Sequence, residues 1–516
     1  MLLYTKELVA PRAKLTQGLQ RFRTQQLRQK YEKMLRREFA HSTIHGIQNV
    51  IEEKHACARY FWLLVVLTAT MGLLVIFSLL KHQHSAQQLV SVVETTQFPV
   101  YNIQFPSVAI CPFNHVNWLR ASTAEHRFLP RNADSYTRES FHQLLIQMEQ
   151  LNFGKFQTLG ALSKRNLTAL ANVSLIKLAS YLAYRCDELF EPDSCFFDET
   201  KYECCQLFVP EYTEKGVCLV FNSLISEESR KKKLVSEFYP FKISTAGEGS
   251  GLQFMLHLND TFLRAGTQVP FSMNLMIKES NQWSNNMNYH LYENTENFVS
   301  IDPMVIQTSK NTKLMDPVKR RCYFEVGHER HPYYPYKDLP YSRTNCIFTC
   351  LQWALIDACN CSMPLYLPDI DDTRECTVLD FACLHRHTDV VGYVKTIDQD
   401  KYIKDPRRGL VCPCLDSCNT QLYQTYLNVR RFDYFNATNT TISKRIRAEI
   451  YYGQRVLMKI ETKLKYNFVD WVAAFGGVLG LYVGASTLSF VELGYIVSRL
   501  LWSLLKDAYA QITSKL

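Results

Sequence analysis

The chain has 516 residues, 47% hydrophobic and 21% charged, enough apolar material for a large core and for membrane segments besides. Its net charge is +9, yet no nucleic-acid-binding module accompanies the basic residues, so the excess does not argue for that partner. Sixteen of the seventeen cysteines lie between Cys111 and Cys418, a density that speaks against a reducing compartment and for disulfides.

Residues 1–59 hold twelve Lys/Arg against five Asp/Glu, and a basic flank marks the cytoplasmic side of a span. Within them, residues 21–40 read as a helix, either solvated or resting on the inner leaflet through its cations. His45-Gly46 follows in the string Ser42-Thr43-Ile44-His45-Gly46-Ile47, about fifteen residues before an apolar run. A helix C-cap with Gly46 in a left-handed conformation suits that pair. Tyr60 to Leu80 is uncharged and of membrane length, roughly 20 residues. The 59 residues before it, many charged, argue against a cleaved signal peptide.

Phe105-Pro106-Ser107-Val108-Ala109-Ile110-Cys111-Pro112 alternates in polarity and reads as a strand entering a core. Residues 120–185 are more helical in pattern. From Cys204 strands and turns take over, and Gly-Glu-Gly-Ser-Gly at 247–251 turns into a strand with alternate apolar residues. It is no phosphate loop, because the Lys-Ser/Thr is missing. The basic run Arg230-Lys231-Lys232-Lys233 reads as an exposed loop. Sequons begin at Asn166, Asn172, Asn259, Asn360, Asn436 and Asn439, all between the two apolar regions; Cys361 as the middle residue weakens Asn360. The ten cysteines from Cys322 to Cys418 admit many connectivities, and spacing alone does not choose. A zinc site at Cys359-x-Cys361 with Cys412-x-Cys414 is the weaker reading, since the usual gap between ligands is two to four residues. Alternation in residues 455–466 predicts a strand leading into the last apolar stretch.

That stretch, Phe468 to Leu505, can cross a bilayer but carries more than an anchor needs. Gly476, Gly480 and Gly484 recur every four residues, a spacing that lets another backbone approach. Gly484-Ala485-Ser486 are three small residues in a row, and Glu492 lies six positions beyond Ser486. An acid at membrane depth costs roughly 2.5–3.5 kcal/mol and faces water or a partner. Small residues beside such an acid are what a cation pore requires, with carbonyls replacing part of the ion's hydration. Two spans cannot enclose a pore, so several chains must each lend one.

The string Gly476 to Glu492, GGVLGLYVGASTLSFVE, resembles the second span of the degenerin/epithelial sodium channel family. The His45-Gly46 pair, the Phe105-Pro106-x-Val108-x-x-Cys111 signature and the set Gly216, Cys218, Phe221 and Asn222 are similar to that family as well. Cys204-Cys205 and Thr213 to Cys218 look like its insect pickpocket subfamily. The resemblance, from Ser42 to Leu505, implies an α+β membrane protein. Two transmembrane helices flank a large, disulfide-rich, glycosylated extracellular domain with a β-sheet core and peripheral helices, in an acid-sensing/epithelial sodium channel-like trimer. It places residues 1–59 and 506–516 in the cytoplasm, 60–80 and 468–505 in the plasma membrane, and 81–467 outside. It assigns Gly484, Ala485 and Ser486 to the selectivity filter, Glu492 and Asp470 to pore charge, and His45, Gly46 and Ala473 to gating. It pairs Cys111–Cys218, Cys322–Cys418, Cys346–Cys414, Cys350–Cys412, Cys359–Cys383 and Cys361–Cys376, and leaves Cys186, Cys195, Cys204 and Cys205 open. The nested bridges would form a stiff rod that transmits movement to the pore. Partners implied are related subunits in a homo- or heterotrimer, membrane lipid and an amiloride-type blocker; sodium permeates, no cofactor is needed, and no nucleic acid is bound.

The competing readings are an accessory, non-conducting subunit, a cell-surface receptor and an ATP-gated trimeric channel, for which no basic ATP-binding set is present. A catalytic role finds no support. Gly-x-Ser-x-Gly is absent, and His328-Glu329-Arg330-His331 is one residue short of zinc-protease spacing.

Overall fold

The structure, a computed structural model, describes residues 29–513 except 31, 35, 38, 40–42, 87, 268–269, 286–287, 325–332, 334–338, 364–372 and 433–443. Ser42, the 328–331 motif, Asn436 and Asn439 lie outside the described residues. The chain forms two compact units, residues 91–463 and the joined ends 1–90 with 464–516.

The larger unit is built on Thr295–Thr308, the long strand of an eight-stranded sheet. One side of it pairs antiparallel with Asn419–Arg431 along thirteen residues. The other side is shared. Thr295–Ile301 runs parallel to Lys444–Tyr452, and Met304–Thr308 runs parallel to Val456–Leu464. The change of partner occurs at Gly453, where a Cβ would lie 2.6 Å from Asp302 Oδ1 and 2.8 Å from Ser300 Oγ, so a larger residue there would have to displace both side chains. Leu89–Pro99 closes one edge. Leu252–Leu258 continues the other, burying every second residue as its sequence predicts.

A second, five-stranded sheet is antiparallel, in the order Phe208–Thr213, Gly216–Phe221, Ser107–Pro112, Ser272–Lys278 and Asn288–Tyr292. Ser107–Pro112 was expected to bury one face and buries both. Val108 and Ile110 enter one core, Ala109 and Cys111 pack on the opposite face with Cys218, Val220 and Met276, and Ser107 survives burial because its hydroxyl donates to Phe221 O at 2.9 Å. Lys278 is equally enclosed, its Nζ donating to Glu211 Oε1 at 3.0 Å and Trp283 O at 2.9 Å. Phe105, Phe197, Phe208, Phe221 and Phe254 fill the core that this unit's sheets share. Helices Trp118–Phe128, Ser135–Met148 and Leu175–Leu182 line a second core, and each is capped by the side chain before it, Asn117, Asp134 or Ser174.

The exposed loop expected at Arg230–Lys233 is instead part of a helix, Glu227–Val235. Ser226 caps it, accepting from Ser229 N at 3.1 Å. Glu227 and Glu228 in the first turn and Lys232 and Lys233 in the last complement the helix dipole. Charge order along the run, not its total, decides the conformation.

Eight disulfides join Cys111–Cys218, Cys186–Cys205, Cys195–Cys204, Cys322–Cys418, Cys346–Cys414, Cys350–Cys412, Cys359–Cys383 and Cys361–Cys376. Cys346 and Cys350 stand four apart on helix Arg343–Cys359, hence on one face, and they bond Cys414 and Cys412, which flank a tight turn closed by Cys414 N donating to Cys412 O at 2.8 Å. The cysteines of the weaker zinc reading are oxidised here, and a disulfide sulfur offers a metal no thiolate. Of the sequons, Asn166 and Asn172 are exposed, Asn259 is half-buried with Oδ1 accepting from Thr261 N, and Asn360 ends helix Arg343–Cys359 in a left-handed turn.

The smaller unit holds the apolar segments. Helix Ala56–Ser85 extends the expected 60–80 run at both ends, and it and Thr487–Asp507 are long and apolar enough to cross a membrane. The continuous helix expected over 468–505 is interrupted. Phe468–Val483 ends, three residues follow, and a second helix runs from Thr487 to Thr513. Trp471 stacks on Phe475 with ring centres 5.6 Å apart, and Phe77 of the first span packs 5.2 Å from Phe475.

Candidate functional site: a broken helix and the segment held against it

The interruption falls on Gly484-Ala485-Ser486. Gly484 adopts φ 62°, the left-handed conformation that ends a helix at little cost only for glycine, and its N–H still reaches Gly480 O at 3.0 Å. The next helix restarts on a serine pair. Ser486 N donates to Ser489 Oγ at 3.0 Å, and Ser489 N returns to Ser486 Oγ at 3.4 Å. A helix that stops and restarts within three residues leaves carbonyls at the break without intrahelical partners.

One of them is taken by the N-terminal segment. His45 N donates to Val483 O at 3.0 Å. Thr43 Oγ1 lies 2.7 Å from Glu492 Oε2 and 2.8 Å from Ser489 Oγ, with Thr43 N 3.4 Å from the same carboxylate. Ser489 and Glu492 are three apart and so share a helix face. His45 covers Gly484 so closely that a Cβ there would overlap the imidazole. Gly46 is left-handed, at φ 84°, as its sequence suggests. It precedes helix Ile47–Glu52 as its N-cap, however, and does not end a helix, and a Cβ on it would meet Val66 Cγ2 at 2.7 Å.

The other expected residues divide. Ala473 is exposed and shares a stripe with Gly476, Gly477 and Gly480, at offsets of three, four and seven that fall on one helix face. Apart from the helix's own backbone, no atom of the described residues lies within 4 Å of a Cβ built on any of the three glycines. Asp470 forms a capping box with Asn467: Asn467 Oδ1 accepts from Asp470 N at 2.9 Å, and Asp470 Oδ2 accepts from Asn467 N at 3.2 Å. Its carboxylate is engaged in starting the helix. Glu492 is half-buried against Thr43, held by neutral donors. Thr43 and Ser489 carry no role in the sequence reading. The three-residue step from Ser486 to Ser489 and from Ser489 to Glu492 is the signal that could have found the serine.

A family model for amiloride-sensitive sodium channels matches residues 39–496. The chain belongs to the degenerin/epithelial sodium channel family. Pickpocket protein 19 of Drosophila melanogaster is 50% identical over 98% of both chains, which places this subunit among pickpocket-type members. Pickpocket protein 11 of the same fly is 22% identical over 88% of this chain and 73% of its own. Sodium channel protein Nach of Drosophila ananassae is 24% identical over 90% and 86%. A solved proton-activated chloride channel covers 86% of the chain at 9% identity with a TM-score of 0.28, too distant to bear on the architecture. The family consists of ion channels, not enzymes, and the chain is a membrane protein with two candidate spans.

Proposed function

We propose that this chain is a pore-forming subunit of a sodium-selective, amiloride-sensitive, non-voltage-gated cation channel of the plasma membrane. The observation that carries the reading is the break at Gly484–Ser486 with Thr43 and His45 hydrogen-bonded on either side of it. Backbone and hydroxyl oxygens freed at such a break can replace water around a small cation. Three symmetric copies, the assembly of this family's channels, would turn one break into a ring. The uncovered stripe of Ala473, Gly476, Gly477 and Gly480 supports close approach by neighbouring copies or related subunits.

In this account Gly484, Ala485 and Ser486 form the filter, Glu492 supplies charge below it, and Ala473 lines the closed gate. Thr43, His45 and Gly46 buttress the filter from the cytoplasmic side. Both termini are cytoplasmic and residues 81–467 face outward, consistent with eight disulfides and with exposed sequons at Asn166 and Asn172. The test is whole-cell recording with external sodium replaced by an impermeant cation, alongside Ser486→Leu. Inward current should vanish on replacement, and the variant should lose current or sodium preference. A current indifferent to sodium, or unchanged permeability ratios in Ser486→Leu, would remove the filter assignment.

A further inference from the structure

Two cavities in the larger unit adjoin, sharing Ser180, Arg185 and Tyr212 on their walls. The first, about 470 Å³, is mainly apolar, with Tyr184, Phe208, Leu219 and the Cys186–Cys205 bridge among its walls. The second, about 600 Å³, is lined by Arg120, Arg127, Lys177 and Arg185, and no carboxylate residue contributes to it. Both volumes fall within the roughly 300–1,000 Å³ of ligand sites.

The cationic lobe is organised. Arg120 is fixed by Ala183 O at 2.6 Å and Tyr181 O at 3.2 Å and is neutralised by Glu188. Arg127 lies 4.8 Å from the centre of the Tyr181 ring, which Phe128 meets edge-on at 5.8 Å. Ser180 and Tyr212 hydrogen-bond through their hydroxyls where the lobes join. Arg127, Lys177 and Arg185 form no ion pair among the described residues, so three positive charges stand around one opening uncompensated. In the apolar lobe Glu211 is already paired with Lys278, and Glu228 sits on the exposed helix at its rim.

We propose that the joined cavities bind an amphipathic organic anion, a carboxylate on an apolar body. Its head lies among Arg127, Lys177 and Arg185, and its body lies in the lobe beside Tyr184, Phe208 and Leu219. Guanidinium groups suit the head because they meet a carboxylate with two parallel donors. The aromatic wall suits the body, and an ion of either kind alone would satisfy only one lobe. This site is separate from the broken helix and does not depend on the channel reading.

The experiment uses purified full-length protein in neutral detergent and follows binding of 1-naphthoate by ligand-observed NMR. Uncharged 1-naphthalenemethanol serves as the shape-matched control. Saturable naphthoate binding is expected, with the alcohol weaker by about tenfold or more, the scale of one lost charge-assisted contact. The triple variant Arg127→Gln/Lys177→Gln/Arg185→Gln should weaken naphthoate by at least as much while leaving the alcohol unchanged. Val217→Trp, which intrudes on the apolar lobe, should weaken both. If the triple variant does not fold, Lys177→Gln and Arg185→Gln, each at an exposed side chain, are read singly for the same loss. Equal binding of acid and alcohol, or undiminished naphthoate binding in the charge variants, overturns the proposal.

Discussion

Replacing Gly484 with alanine tests whether the N-terminal segment and the helix break act together. Two costs arise. A non-glycine residue at φ 62° costs roughly 1–2 kcal/mol in the left-handed region. The new methyl also overlaps the His45 ring, so the ring must leave and the His45 N to Val483 O bond is strained, worth about 0.5–1.5 kcal/mol more. Together the penalty on the assembled arrangement is about 1.5–3.5 kcal/mol, or roughly a 10- to 400-fold shift away from it. The assay is sodium current per surface-labelled channel in cells where the wild-type chain carries current, alone or with a related subunit. Gly484→Ala should lower it by at least an order of magnitude. His45→Gly in the same chain removes the ring and should return part of the loss, leaving only the backbone cost. Wild-type current in Gly484→Ala, or no relief from His45→Gly, would refute the idea that these two residues touch in the conducting channel.

Other outcomes follow from the same structure. Ala473→Val adds a branched side chain to the small-residue stripe and should hold the pore open, seen as extra resting current; no such current would dismiss Ala473 from the gate. Lys278→Met leaves Glu211 buried without its partner and should destabilise the larger unit by about 3–5 kcal/mol, whereas Lys278→Met/Glu211→Leu should recover most of it, read by thermal unfolding of the full chain. His115 is half-buried beside Lys215, and burial first, then that charge, push its pKa down from 6.5 to about 4. A group depressed in this way is protonated more readily in the unfolded chain. Its contribution is therefore present above pH 6.5 and lost as the pH falls from 6.5 towards about 4, on the order of 3 kcal/mol in all. His115→Asn should flatten stability across that window, and an unchanged acid limb would show that His115 is not its source.

Local rules carried much of this molecule. The alternation in Leu252–Leu258, the helical character of residues 120–185 and the apolar run inside Ala56–Ser85 are visible from spacing and residue type alone. What could not be read was set by long-range partners. Ser107–Pro112 alternates in its sequence but is buried on both faces, because Val108 and Ile110 enter one core while Ala109 and Cys111 pack on the other side with Cys218, Val220 and Met276, residues more than a hundred positions away. The pairs Cys186–Cys205 and Cys195–Cys204 depend on how a short helix turns two adjacent cysteines apart. At the candidate site, small residues and an acid were legible as types. That Glu492 meets Thr43, 449 positions away, was not, since no periodicity links the two ends of the chain.

The most direct measurement is cysteine accessibility at the break. Ser486→Cys, in a background with Cys57→Ser, should react with a small cationic thiol reagent, lose current as it does so, and be protected by sodium. A cysteine at Ser486 that stays unmodified, or that reacts with no effect on the current, would place the break away from the ion's path and contradict the account.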